Sequence, residues 1–271
     1  MDFDFTVEQE MLRKSVAEFL KKECPFDMVK EIEMWGFKTV MVGNIKGFLN
    51  KYATMSMMIK EAEKRNLNIY ECVGQTDGTK MNIEMALLVN GLGIELWKRG
   101  MEGFKIDHVK NILKANDFDK YSNGVVDYAL EAEPKGGVFV VGYCENKLQQ
   151  EYLKYYKMGE PPFYVFYRHY HICHIETPKA IFEAVINKKE ILRPKVKLTD
   201  VYAFAKSDLL KGTELNIGMG GDYFYGMIDC CANSRDLVPI LCLGNKDEKV
   251  KTTLVNSLKK DEPLQWSDIK Q

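Results

Sequence analysis

The segment YRHYHICHIE holds the densest group of side chains able to do chemistry. It carries three of the chain's four histidines, His169, His171 and His174, between Arg168 and Glu176. Imidazole moves protons near neutral pH, a guanidinium binds anions through paired hydrogen bonds, and a carboxylate acts as a base or orients a histidine. On an extended segment, alternation places His169 with His171 on one face and His174 with Glu176 on the other. The pattern favours a site that binds an anionic group and moves protons.

Two other interpretations of this segment stay open. A zinc ion could take histidines and Glu176, although His-x-His with one carboxylate lacks a clear fourth ligand. An aromatic strand with its histidines satisfied in a protein core would need no ligand. Three histidines beside an arginine and a glutamate favour the functional interpretation.

Two shorter motifs offer positive charge near flexible backbone. Lys46 lies in GNIKG just past a predicted strand, where glycines let a ligand approach the backbone. Asp77, Thr79 and Lys80 lie in QTDGTK, which is predicted to be a turn from a strand into a helix. The first N–H groups of that helix can face a phosphate or carboxylate. Alternatively Asp77 and Thr79 cap that helix and Lys80 is solvated, or Asp77 binds a metal.

The stretch EYLKYYKMG is a further candidate for contact with a substrate. Its residues Tyr152, Tyr155, Tyr156 and Lys157 could close over a bound molecule. Tyrosines at helical spacing more often pack than react. The substrate-closing role is therefore secondary to the histidine segment.

Neither glycine-rich stretch completes a dinucleotide-binding fingerprint. Gly91-x-Gly93 is followed by Leu96 and Gly218-x-Gly220 by Tyr223 where G-x-G-x-x-G needs its third glycine. Neither stretch opens a helix directly after a predicted strand. The sequence predicts no Rossmann domain.

Hydrophobic periodicity and turn residues predict the elements that must position these groups. Pro25 ends the first predicted helix. After Arg193-Pro194 the predicted elements change to short strands separated by turns, which predicts a domain boundary near residue 196. The predicted helices are 7–23, 27–35, 56–65, 81–89, 147–155 and AIFEAVINK, and the predicted strands are KTVMVG, 69–73, 125–130, 137–142 and FYVFY.

Composition limits the classes of partner and compartment. A net charge of -1 gives no global attraction to nucleic acid or an anionic membrane. The seven cysteines form no CxxC pair, which argues against disulfides or structural zinc and fits a cytoplasmic protein. No signal peptide or run of about 18 apolar residues is recognised, so neither secretion nor membrane insertion is expected.

Taken together, VGNIKG, TDGTK, GVFVVG, YLKYYKMG, PFYVFYR-YHICHIETP and the terminal DLLKG…PLQWSDI resemble the homoserine-dehydrogenase-like oxidoreductases. These include reductoisomerase-like enzymes acting on 1-deoxy-D-xylulose 5-phosphate. The motifs occur in order from about Phe26 to the end of the chain. Residues 1–25 instead resemble the first helix of acyl-CoA dehydrogenases, over a stretch with no flavin or acyl-CoA site.

The resemblance implies an α+β protein: a central α/β catalytic and oligomerisation domain at 26–195 and a small, mostly β SAF-like domain at 197–271. The family's N-terminal Rossmann domain, which holds NADH or NADPH, has no counterpart in the sequence. A truncated gene, a fusion or one half of a split enzyme would each give this arrangement. The chain is then expected to be incomplete without a Rossmann-domain subunit.

The resemblance also places the candidate residues in one substrate pocket. His171, His174, Glu176 and Lys80 are assigned to catalysis, and Lys46, Asp77, Thr79, Arg168 and Lys157 to substrate binding. A divalent metal held by Asp77 and Glu176 is a further possibility.

Three functions follow from these residues. The first is the catalytic portion of an NAD(P)H-dependent oxidoreductase or reductoisomerase acting on a small polar or phosphorylated substrate, working as a homo-oligomer with a separate dinucleotide-binding subunit. The second is a non-enzymatic, oligomerising module that binds a small molecule. The third is a metal-dependent lyase or isomerase that uses the histidine segment.

Overall fold

The computed structural model describes residues 25–121, 123–169, 173–190, 192–194, 198–216, 220–229, 236–239 and 252–270, without the side chains of 25–27, 173–177 and 229. The chain divides into two compact units. The sheet unit comprises the described residues up to Phe48 together with Leu87–Leu198. The hairpin unit comprises Leu49–Ala86 and the described part of Thr199–Gln271. The helix predicted at 7–23 lies outside the described residues.

The sheet unit is built on a five-stranded mixed sheet with the order β2-β3-β1-β4-β5. Its central strand β1 pairs in parallel with β3 and antiparallel with β4, and β4 pairs antiparallel with β5. β1 and β5 therefore run in the same direction, and their carboxyl ends meet at one edge. The strands are β1 (Lys38–Lys46), β2 (Phe104–Lys105), β3 (Val125–Leu130), β4 (Val138–Tyr143) and β5 (Phe163–Arg168).

Burial explains why the inner strands read as continuous apolar runs. β3 (VVDYAL) and β4 (VFVVGY) are buried at every residue but the last, because structure covers both faces of the sheet. Met41, Phe139 and Val141 on one face pack against Val109 and Ile112 in a core cluster. β5 is only partly buried, as its position at the end of the described sheet requires.

Helices accompany the sheet of this unit, and one of them, α6 (Lys147–Tyr155), begins at a capping asparagine. α1 (Pro25–Met34) packs against β1 and β4 and buries Val29 and Ile32. Asn146 caps α6 by accepting a hydrogen bond from the Gln149 N–H at 3.2 Å. The remaining helices of this unit are α5 (Ile112–Ala115), α6 (Lys147–Tyr155), α7 (Cys173–Val185) and the 3₁₀ turns Val109–Asn111 and Phe118–Lys120.

The hairpin unit combines two distant segments of sequence. β6 and β7 pair antiparallel from Thr199↔Asp229 to Ala205↔Tyr223, and Phe204 stacks on Phe224. α4 begins in this unit, and its last residues belong to the sheet unit. The elements are α2 (Met55–Arg65), α3 (Ile69–Thr76), α4 (Thr79–Leu92), β6 (Thr199–Ala205), β7 (Tyr223–Asp229), β8 (Thr253–Leu254), β9 (Ile269–Lys270) and the 3₁₀ turn Trp266–Asp268.

Most predicted elements that fall in the described residues are confirmed, but the strand predicted at 69–73 is wrong. That segment belongs to the helix α3. Asn68 caps it by accepting a hydrogen bond from the Tyr70 N–H at 2.9 Å, with Glu71 in the first turn. Its buried residues Cys72, Val73 and Thr76 follow a helical spacing. The expected strand-to-helix turn before Thr79 is therefore a helix-to-helix junction.

The α+β class is confirmed by these helices and mixed sheets. The compact units draw on different segments from the domains 26–195 and 197–271, which rest on the family resemblance and stay a prediction. Within the residues described, no helix is long and apolar enough to cross a membrane.

One buried carboxylate fixes the loop that leads into β2. Asp127 is 1% exposed and accepts hydrogen bonds from the backbone N–H groups of Glu102, Gly103 and Tyr128 at 2.7–3.0 Å. Burial raises the pKa of this carboxyl, and these N–H donors oppose the rise.

We expect Asp127→Asn to lower the free energy of unfolding by about 1–3 kcal/mol. The NH2 group of the asparagine would replace one acceptor oxygen and place a donor against a backbone N–H donor. Urea unfolding measures the change. Glu131→Gln, at an exposed pair with Lys105, is the control and should cost no more than about 1 kcal/mol. An unchanged midpoint for Asp127→Asn contradicts the role given to this carboxylate.

Candidate functional site

Lys46 and Arg168 end two strands at the same edge of the sheet. Asn44 pairs with Val138, and Val138 pairs with Arg168. Cross-strand partners share a face and Lys46 follows Asn44 by two residues, so both cations project from one face. Two strand spacings, about 10 Å, separate β1 from β5. The edge can therefore present both cations to one anionic molecule.

Lys157 and Arg168 both line a groove of about 620 Å³ along β5. Of the residues predicted to bind substrate, Lys157 and Arg168 thus share this groove, and Lys46 is not among its lining residues. The groove also meets Lys110, Trp35 and Phe166, which the sequence analysis did not select.

Asp77 and Thr79 form the junction between α3 and α4. The Asp77 carboxylate is 2% exposed and accepts a hydrogen bond from the Thr79 N–H at 2.9 Å. It thereby occupies one of the donors at the start of α4 and places negative charge there, which opposes binding of an anion at that donor. The Thr79 side chain is buried at the start of α4. Lys80 is half-buried.

The partner of Asp77 is Lys206, at the end of β6. The Lys206 ammonium lies 3.4 Å from the Asp77 carboxylate and donates to the Ala53 carbonyl oxygen at 2.6 Å. Their side chains are only 6% and 1% exposed. Burial raises the pKa of Asp77 and lowers the pKa of Lys206, and their mutual attraction opposes both shifts.

The two groups form a buried, coupled acid and base. Because burial disfavours both charges, the free-energy difference between the ion pair and the neutral pair is smaller than in water. Buried, coupled acids and bases of this kind are enriched at functional sites. The pair lies within the hairpin unit.

The histidine segment differs from the extended arrangement expected for it. β5 ends at Arg168, and the backbone of Cys173–Val185 is helical, with Pro178 inside the helix. The prediction that His174 and Glu176 share a face required an extended segment, so it is wrong for this helical backbone. His171 lies outside the described residues, as do the side chains of His174 and Glu176, so their catalytic assignment stays a prediction.

The described glycines of the two glycine-rich stretches do not lie at the start of a helix. Gly91 and Gly93 lie at the carboxyl end of α4, where exposed carbonyl groups and the negative end of the helix dipole disfavour a phosphate. Gly220 precedes a strand, β7, and not a helix. Among the described side chains, no group of three or more His, Cys, Asp or Glu residues could hold a metal ion.

Lys206 was missed because its partner is remote in sequence. It ends the apolar run VYAFA, and a lysine continuing a buried strand is the local signal that could have found it. Lys110 and Trp35 gave no comparable signal, because an isolated lysine and an aromatic at a helix end are ordinary surface features.

A family model described as "Oxidoreductase DRL, catalytic domain" matches residues 24–177, more than half of the chain. The chain belongs to this family and carries an oxidoreductase catalytic domain. The matched range contains every residue assigned to catalysis or substrate binding from the sequence, and it excludes Lys206. No curated protein matches the chain.

We expect Lys206→Met to lower the free energy of unfolding at neutral pH by about 3–5 kcal/mol, because it leaves Asp77 buried without its counter-ion. The loss should shrink as the pH falls. Removal of the cation raises the Asp77 pKa further, and below that pKa the folded state binds a proton that the unfolded state does not.

Urea unfolding at several pH values between neutral and acidic tests this expectation. Lys259→Met is the control, since it removes a lysine from an exposed pair with Asp208 at 2.9 Å and should cost about 0–1 kcal/mol. Equal losses for the two variants, or a Lys206→Met loss independent of pH, would contradict the role of Lys206 as the counter-ion of a buried Asp77.

Proposed function

We propose that this chain is the catalytic portion of an NAD(P)H-dependent oxidoreductase or reductoisomerase acting on a small polar or phosphorylated substrate. The nicotinamide is held by a separate dinucleotide-binding subunit, and the chain works as a homo-oligomer. Membership of the oxidoreductase DRL catalytic-domain family supports the reaction class. The placement of Lys46 and Arg168 on one face of one sheet edge carries the substrate assignment.

Ligands of open sheets bind where strands end at their carboxyl edge, because loops there can surround a molecule without disturbing the sheet. Lys46 and Arg168 end β1 and β5 at that edge. An ammonium and a guanidinium are suited to the oxygen atoms of a phosphate, carboxylate or hydroxy-ketone. In this proposal they bind and orient the substrate.

Proton movement has two candidate sources in the chain. His171, His174 and Glu176 follow Arg168 within eight residues, and they keep their proposed role as proton-transfer groups. Asp77 and Lys206 form a buried acid–base pair within the hairpin unit, with pKa values shifted towards each other by burial. Hydride transfer itself needs the nicotinamide, whose chemistry belongs to the cofactor.

A separate dinucleotide-binding subunit is supported by the two glycine-rich stretches. One lies at the wrong end of a helix, and the other leads into a strand. We therefore expect the isolated chain to bind substrate without binding NADPH. Stoichiometric NADPH binding by the isolated chain, measured by calorimetry, would contradict the separate subunit.

A co-expressed chain with G-x-G-x-x-G after its first strand should restore NADPH oxidation, followed by absorbance. In that complex we expect Lys46→Met and Arg168→Met each to lower kcat/KM about 10- to 100-fold, as loss of a charged hydrogen bond predicts. Lys38→Met is the control, because it makes the same change at the opposite end of β1 and should leave kcat/KM unchanged.

Substrate binding with no turnover in the presence of such a chain would instead favour the non-enzymatic binding module. Full activity in Lys46→Met and Arg168→Met would refute the substrate assignment at the sheet edge.

A further inference from the structure

We propose that the groove along β5 binds an anion attached to a planar or apolar body, such as an aryl phosphate. The inference rests on the proposed function, because it names the chemical class of a substrate that Arg168 helps to hold. Its basis is the composition of the groove walls and the backbone conformation of Lys157.

One wall of the groove is a single face of α1 and the residue after it. Met28, Glu31, Ile32 and Trp35 line it at the spacing of neighbouring helical turns. Trp35 is 51% exposed, so much of its surface is open to solvent. Its ring meets the Phe166 ring edge to face with centroids 6.1 Å apart. This wall offers a flat aromatic surface to a ligand.

The floor of the groove is β5 itself. Val165 and Tyr167 belong to one face of the sheet, and Phe166 and Arg168 belong to the other. All four line the groove because β5 is the last strand on its side of the described sheet. A ligand there contacts apolar side chains from both faces and the guanidinium at the strand end.

The charge of the lining favours an anion. The lining contains three cations, Lys110, Lys157 and Arg168, and one carboxylate, Glu31, which gives it a formal charge of +2 in a chain whose net charge is -1. The Lys110 ammonium lies 5.8 Å from the centre of the Tyr167 ring, which keeps its charge next to the aromatic floor. The local charge is therefore opposite in sign to that of the whole chain.

Lys157 occupies a backbone position that normally selects glycine. It follows α6 with a φ of 58°, and the Met158 N–H donates to the Leu153 carbonyl while the Lys157 N–H donates to that of Lys154. These two bonds form a Schellman motif with Lys157 at its left-handed residue. A lysine is unfavourable there relative to glycine, and this lysine lines the groove. Its place in the groove lining is the second observation, and in this proposal the ligand binds the ammonium of Lys157.

The groove volume of about 620 Å³ lies within the range of small-molecule sites. Cations alone would suit a free phosphate or a sugar phosphate equally well. The aromatic wall and floor add an apolar surface on which an aryl group packs better than a free phosphate or a hydroxylated sugar. The geometry therefore points to a ligand that joins the anion to a planar body.

Isothermal titration calorimetry of the full chain with phenyl phosphate, glycerol 3-phosphate, inorganic phosphate and phenol tests this inference. We expect one phenyl phosphate per chain, bound at least about tenfold more tightly than each of the other three. No heat with millimolar phenyl phosphate would overturn the site. Equal affinity for glycerol 3-phosphate or inorganic phosphate would overturn the aromatic contact, and equal affinity for phenol would overturn the cationic one.

Two variants of one residue test the cationic contact with the fold preserved. Lys157→Gly and Lys157→Asn both suit a left-handed backbone, and each should weaken phenyl phosphate binding about tenfold or more. Lys157→Gly should also raise the melting temperature by about 2–4 °C. Lys188→Gly is the matched control, since Lys188 has a φ of 51° and does not line the groove. It should raise the melting temperature similarly without changing the affinity.

Equal weakening by Lys157→Gly and Lys188→Gly, or none by Lys157→Gly, would refute the role of Lys157. These titrations contain no nicotinamide and no partner chain. Binding without activity in the reconstituted complex would thus refute the proposed oxidoreductase function alone. Activity in that complex without phenyl phosphate binding would refute the ligand class alone.

Discussion

The close approach of backbone at Gly137 is the constraint on which the sheet edge depends. Its carbonyl accepts a hydrogen bond from the Ile45 N–H at 2.9 Å, next to the end of β1. Its φ is 116°, and a Cβ atom there would overlap the carbonyl oxygen of Arg168. The residue thus joins the carboxyl ends of β1 and β5, and only glycine fits. Lys46 and Arg168 reach the same edge through this contact of main chain with main chain.

Sequence patterns were sufficient for the elements whose burial is simple. β3 and β4 are mostly apolar runs buried on both faces, so their apolar content alone predicts two buried strands. The segment 69–73 was misread because a few alternating apolar residues suit a strand and a helix turn equally. The Asn68 cap decides between them, and its hydrogen bond is visible only in the folded backbone. The strand order β2-β3-β1-β4-β5 likewise depends on pairings between distant residues.

The candidate site shows the same division between local and remote information. Arg168 could be selected beside the histidines and Lys157 beside the tyrosines of EYLKYYKMG, and the structure places both at one groove. Lys206 could not be paired with Asp77 from sequence, because 129 residues separate the two. The aromatic wall could not be predicted from sequence either, since Trp35 and Phe166 meet only when α1 packs beside the sheet. Residue types suggested chemistry, and tertiary contacts determined which of them act together.

An unfavourable backbone conformation or a buried charge points to a functional site only when a second observation accompanies it. Lys157 and Lys188 both hold a left-handed backbone at a cost relative to glycine, yet of these two only Lys157 lines the groove along β5. Asn66 adopts the same conformation as the C-cap of α2, where asparagine is well tolerated and nothing further needs explanation. The same reasoning separates the buried pair of Asp77 and Lys206 from the exposed pairs of the surface, because burial without full compensation must be offset elsewhere in the fold. A left-handed lysine at a cationic, aromatic groove and a buried acid–base pair are therefore two features of the described part of the chain that carry both a local cost and a second observation pointing to a ligand or a proton.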